Sequence, residues 1–137
     1  MALMEPVHGR SARDAERTKE IPDRAGPSDA LAFLAVMLRD GGQDFCGELV
    51  RTFLEETPGR IRRIGDCLAS GDARMALEVT ESLRIHSLDL DARPLARACG
   101  ELEAHPAEAE GILRDIAMAF DRLRPELEAF LSGLGRR

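Results

Sequence analysis

From residue 28 onward, apolar residues recur at intervals of three and four, the period of helices that bury one face. Leu31, Leu34, Met37 and Leu38 predict a first helix, with Ser28 as its N-cap and an end near Arg39. Gly41-Gly42 breaks it. A second stripe begins near Asp44 and carries Phe45, Cys46, Leu49, Val50, Phe53 and Leu54. Pro58 and Gly59 interrupt this stripe, but Ile61, Ile64, Cys67 and Leu68 resume it at once. The pattern fits one long helix kinked at the proline or two abutting helices, and leaves both open.

Ser70-Gly71-Asp72 reads as a turn and cap. The next helix is predicted from about Ala73 towards Leu88, with Ala76, Val79 and Leu83 facing inward. Asp89 or Asp91 then serves as the cap of a further helix through about Glu103, with Pro94 in its first turn. Pro106 opens the last helix. Its stripe of Ile112, Ile116, Phe120, Leu123, Leu127, Phe130, Leu131 and Leu134 runs out at Gly133 and Gly135. Five or six amphipathic helices with short connections predict an all-α protein built as an antiparallel, up-and-down bundle. Residues 1–27 hold five basic and five acidic residues, three prolines and two glycines without apolar periodicity, and are expected to form a disordered tail before a single bundle over 28–137.

Composition sharpens this picture. The chain has 137 residues, 44% of them apolar and only 4% aromatic, with no Trp or Tyr, so the core must come from Leu, Ala, Ile, Val, Met and five Phe. The balanced tail leaves the whole formal charge of −6 on the bundle, which argues against a nucleic-acid partner. The densest basic run, Arg60-Ile61-Arg62-Arg63, reads as a solvated helix face. Cys46, Cys67 and Cys99 lack zinc-ligand spacing and read as small buried hydrophobes in a reducing compartment. Met1 to Met4 is too short an apolar run for a signal peptide, and no segment approaches the ~20 apolar residues of a membrane span. A cytoplasmic protein without membrane contact is expected. His86 and His105 are isolated from each other, and the Glu5/His8 pair falls in the tail, so no metal, cofactor or enzymatic activity is expected.

Several motifs keep a common register. Phe53-Leu54-Glu55-Glu56-Thr57-Pro58 precedes Gly71-Asp72-Ala73, and Glu81 falls ten residues after Gly71. Thr80-Glu81-Ser82-Leu83-Arg84-Ile85 is followed by Leu90-Asp91-Ala92, then by Leu95, Cys99, Glu101, Leu102 and Glu103. Phe120-Asp121-Arg122-Leu123-Arg124-Pro125-Glu126-Leu127 lies in the last helix. Over roughly residues 30–135 this resembles the histidine phosphotransfer (HPt) family of two-component phosphorelays, with Glu81 where the family places its phosphoacceptor histidine. The resemblance implies a four-helix bundle of HPt type with an additional N-terminal helix. It also implies a response-regulator receiver domain or a histidine kinase as partner.

The departures from the family pattern carry the functional expectation. In that family the phosphoacceptor is a neutral ring nitrogen with an open line of attack, and Glu81 has none. The family's phosphate-binding Lys becomes Arg84, which keeps the charge and adds a planar fork. Its small Gly becomes Ile85, whose branched side chain crowds a partner's approach. The resemblance thus implies a docking module that does not relay phosphate, its face centred on Glu78, Glu81, Arg84, Ile85 and Ser87. Glu81 also reads more simply as a solvated carboxylate paired with Arg84 three residues on. A rival register makes His86 the phosphoacceptor, although five residues of helix set it about 140° around from Glu81. A helical interaction or dimerisation module outside two-component signalling is the third alternative.

Overall fold

A computed structural model describes residues 28–135; the tail expected over 1–27 lies outside the described residues. These form five α-helices: α1 (Asp29–Arg39), α2 (Gln43–Ala69), α3 (Ala73–Asp89), α4 (Arg93–Ala104) and α5 (Ala109–Gly135). A single 3-10 turn, Pro106–Glu108, joins α4 to α5, so the last α-helix begins three residues after Pro106. Among the described residues there is no strand.

Three of the connections have one design. Asp40-Gly41-Gly42, Ser70-Gly71-Asp72 and Leu90-Asp91-Ala92 each place a left-handed residue in the middle, with φ of 84° at Gly41, 85° at Gly71 and 57° at Asp91. In each, the last amide donates back into the preceding helix: Gly42 to Met37 O at 3.1 Å, Asp72 to Cys67 O at 2.8 Å, and Ala92 to Ser87 O at 2.8 Å. The middle amides donate to Leu38, Leu68 and Leu88 carbonyls at 3.0, 3.2 and 2.9 Å. These are Schellman caps, which satisfy the orphan carbonyls of a helix end while reversing the chain. Consecutive helices therefore fold back beside one another. Ser28 Oγ accepts from the Leu31 amide, and Asp72 Oδ1 from the Met75 amide, both at 3.2 Å, closing the N-termini of α1 and α3.

Aspartate was expected to cap α4, and it does not. The position before α4 is Ala92, without a side-chain cap, because Asp91 is consumed as the left-handed residue of the turn. Its carboxylate turns to Arg93 Nε at 3.0 Å.

The question left open at Pro58 resolves in favour of one helix, and Pro125 is accommodated in the same way. Helix α2 runs unbroken through Pro58, and α5 through Pro125. Each proline removes one amide donor in mid-helix, but both long helices are clamped on either side by core residues. Phe53 and Ile64 are buried around Pro58, and Leu123 and Leu127 around Pro125.

Helices α2, α3, α4 and α5 close into a ring in which each packs on the next and α5 returns to α2. Helix α1 lies across α2 and, to a lesser extent, α5. The core they share includes Val50, Phe53, Ile64, Leu83, Leu95, Leu102, Ile116, Phe120 and Leu127. The Phe53 and Phe120 rings meet at 6.1 Å with a 55° tilt, and the Arg124 guanidinium covers Phe120 at 5.0 Å. Cys46 and Cys99 are buried as expected, while Cys67 is only half-buried.

The third turn is the one without glycine, and a side chain at positive φ costs stability. Asp91→Gly is expected to raise unfolding free energy by about 0.5–1 kcal/mol in urea denaturation, despite loss of the exposed Arg93 pair. A destabilised variant would show that the Asp91 carboxylate outweighs its backbone strain.

Candidate functional site

Helix α3 turns a polar-lined seam inward. Ala76, Thr80, Leu83 and Ser87 are buried, and the two hydroxyls are satisfied within the helix. Thr80 Oγ1 donates to the Ala76 carbonyl at 2.7 Å, and Ser87 Oγ to the Leu83 carbonyl at 2.8 Å. With that seam fixed, the opposite face is an exposed ridge of Arg74, Glu78, Glu81, Ile85 and Leu88. Ile85 and Leu88 are 46% and 51% exposed and stand one turn apart. Two such side chains left in water on one helix face are the apolar part of the candidate site.

Ser87 does not belong to it. Expected on the docking face, it is instead fully buried, and its hydroxyl donates to the Leu83 carbonyl. Seven residues from Thr80, it falls on the same inward stripe. Leu88 takes the place assigned to it, as the continuation of the Glu81 and Ile85 stripe. That signal was present in the spacing.

The charges sort into engaged and free. Glu78 pairs with Arg74 at 3.0 Å across one exposed turn. Arg84 does not pair with Glu81; its Nε donates to Glu103 Oε1 on α4 at 2.7 Å, with both side chains about two-thirds buried. The expected pairing of Glu81 with Arg84 is therefore corrected: Arg84 is taken by Glu103, which is brought opposite it only by the α3–α4 turn. Among the described residues no side chain pairs with Glu81. It is a solvated carboxylate at the crest of the ridge.

His86 stands off the ridge. Its Nδ1 donates to the Ser82 carbonyl at 2.7 Å, which leaves Nε2 as the nitrogen with a lone pair in the neutral ring. Ser82 and Val79 lie on the side of α3 that meets α2, so His86, one turn beyond Ser82, shares that side. Val79 is half-buried there and packs against the edge of the core.

Cys99 lies beside the Arg84–Glu103 pair. Burial pushes its thiol up to about 12, with the Glu103 charge adding to the rise and Arg84 opposing it. Burial also raises the Cys46 thiol. Neither is a nucleophile at neutral pH. Among the described residues no three His, Cys, Asp or Glu side chains cluster to hold a metal. No helix there is long and apolar enough to cross a membrane.

Two measurements follow from this geometry. In a double-mutant cycle on Arg84→Ala and Glu103→Gln, the coupling should be about 1 kcal/mol in unfolding free energy, and zero coupling would mean that the tie between α3 and α4 is ornamental. In native protein at pH 8, Cys67 should react with a disulfide reagent well before Cys46 and Cys99, and all three should react at once in urea. The raised Cys99 thiol has a stability counterpart. Its contribution is complete below about pH 9, where the unfolded thiol is still protonated, and is lost as pH rises towards 12. Three fast native thiols would contradict the burial.

Comparison with family models, with curated proteins and with solved structures finds no match for this chain. The motif spacing and the ridge of α3 are therefore the grounds for a functional reading.

Proposed function

We propose that this chain is an HPt-like module of two-component signalling that binds a response-regulator receiver domain or a histidine kinase without relaying phosphate. In this reading the ring of α2 to α5 is the four-helix bundle of the HPt type and α1 is the additional N-terminal helix. The observation that carries it is the outward carboxylate of Glu81, without a partner among the described residues, with Ile85 and Leu88 behind it on one ridge. The register of the family's motifs puts a phosphoacceptor at that position, and a carboxylate cannot accept a phosphoryl group there as an imidazole does.

Three features support binding over transfer. Glu81 offers one charge and two oxygens, a partial likeness of a phosphoryl group, which carries about −1.5 to −2 charge and three oxygens. Arg84, the nearest candidate to steady an incoming phosphoryl group, is already tied through its Nε to Glu103. Ile85 and Leu88 give apolar area of the kind that holds a protein interface but hinders close approach to the helix backbone.

One observation favours a second reading. The Nδ1 bond of His86 to Ser82 O holds the tautomer in which Nε2 is free to attack. Transfer through His86 would then occur on the α2 side of α3 and leave Glu81 uninvolved.

Mixing the protein with an autophosphorylating histidine kinase, and separately with receiver domains from the same genome, tests both readings. The expected result is no acid-labile label on this chain, together with saturable binding that Ile85→Asp weakens at least tenfold, about 1.4 kcal/mol. Label that disappears in His86→Ala would establish the second reading instead. Absence of any affinity for receivers and kinases would remove the chain from two-component signalling. As a check on the steric argument, Glu81→His alone should restore little transfer, and Glu81→His with Ile85→Gly distinctly more.

A further inference from the structure

The basic run of α2 is not simply a solvated face. Arg60 and Arg63, three residues apart, line an open groove of about 300 Å³ with Met75, Glu78, Val79 and Ser82 of α3. Met75 and Val79 are half-buried and supply apolar surface between the two helices. The charges along the groove do not cancel. Arg60 is held by Glu56 at 2.9 Å and Glu78 by Arg74 at 3.0 Å, whereas Arg63 is exposed and has no partner among the described residues. A bundle with a formal charge of −6 thus keeps an unneutralised guanidinium beside an apolar strip.

We propose that this groove receives an acidic linear segment of a partner protein, with an apolar side chain on Met75 and Val79 and carboxylates at Arg63 and Arg60. Charge complementarity selects the occupant. A guanidinium fork matches a carboxylate in two parallel hydrogen bonds. A bare oxyanion would leave Met75 and Val79 uncovered, and a basic segment would meet Arg63 as a like charge. Arg62, next in sequence, is exposed but does not line the groove. The groove lies on the α2 side of α3 and shares only Glu78 with the ridge, while Glu81, Ile85 and Leu88 do not line it.

The test uses the full chain labelled with ¹⁵N and an acetylated pentapeptide with one leucine between two pairs of glutamates. Saturable amide shifts are expected at Arg60, Arg63, Val79 and Ser82, and they should survive Ile85→Asp. Arg63→Glu should lower peptide affinity about tenfold or more, against about twofold or less for Arg62→Glu, which makes the same change in net charge. Equal losses in the two variants would reduce the effect to bulk charge and overturn the proposal. So would shifts produced as well by a lysine counterpart of the peptide or by sodium sulfate alone. Concentration-dependent shifts at the same residues without peptide would mean that a second copy of the chain occupies the groove, and would also overturn it.

Discussion

The rotation of α3 about its own axis is the constraint on which the rest depends. Ala76, Thr80, Leu83 and Ser87 are sealed between the neighbouring helices, and the hydroxyls of Thr80 and Ser87 are satisfied without leaving the helix. A turn of the helix large enough to bring another face outward would bury Glu81 or Glu78 in the core, where a carboxylate without a partner costs several kcal/mol. It would also expose Leu83. The ridge of Glu81, Ile85 and Leu88 is therefore a consequence of core packing. The Arg84–Glu103 pair pins the same rotation from the α4 side.

Fixing α3 in this way separates three surfaces on one helix. The ridge faces solvent with two apolar side chains and the Glu81 carboxylate, which has no partner among the described residues. The flank towards α4 is closed by an ion pair and a protonated thiol. The flank towards α2 is an open groove whose Arg63 has no partner among the described residues, and His86 stands one turn beyond Ser82 on that side. The imidazole of α3, His86, therefore stands off the ridge on a different face of the helix. A module with this distribution is suited to holding partners more than to passing a group between them.

Much of this was legible in the sequence because local rules dominate a bundle with short turns. The apolar stripes gave the helices and most of the core, and Ser28 and Asp72 behaved as caps. Reading failed where a position answers to something non-local or to a competing backbone role. Asp91 looks like a cap but is taken by the left-handed turn, a place that Gly41 and Gly71 fill elsewhere. Pro58 leaves one kinked helix or two abutting helices open in the sequence, and only packing on both sides decides for one. Ser87 looks polar and outward, yet its period places it with Thr80 and Leu83. Glu103 has no local mark of its partnership with Arg84, since nineteen residues and a turn separate them. Leu88, by contrast, was available from the i, i+3 step after Ile85.

The central claim is that the ridge of α3 binds a receiver domain while the chain carries no phosphoryl group. A single sample tests it most directly: ¹⁵N-labelled protein with a receiver domain and a small-molecule phosphodonor, followed by amide and ³¹P spectra together. The account predicts amide shifts centred on Glu78, Glu81, Ile85 and Leu88 and no phosphoramidate signal. A phosphoramidate resonance on this chain, or a footprint that leaves those four residues unmoved, would contradict it.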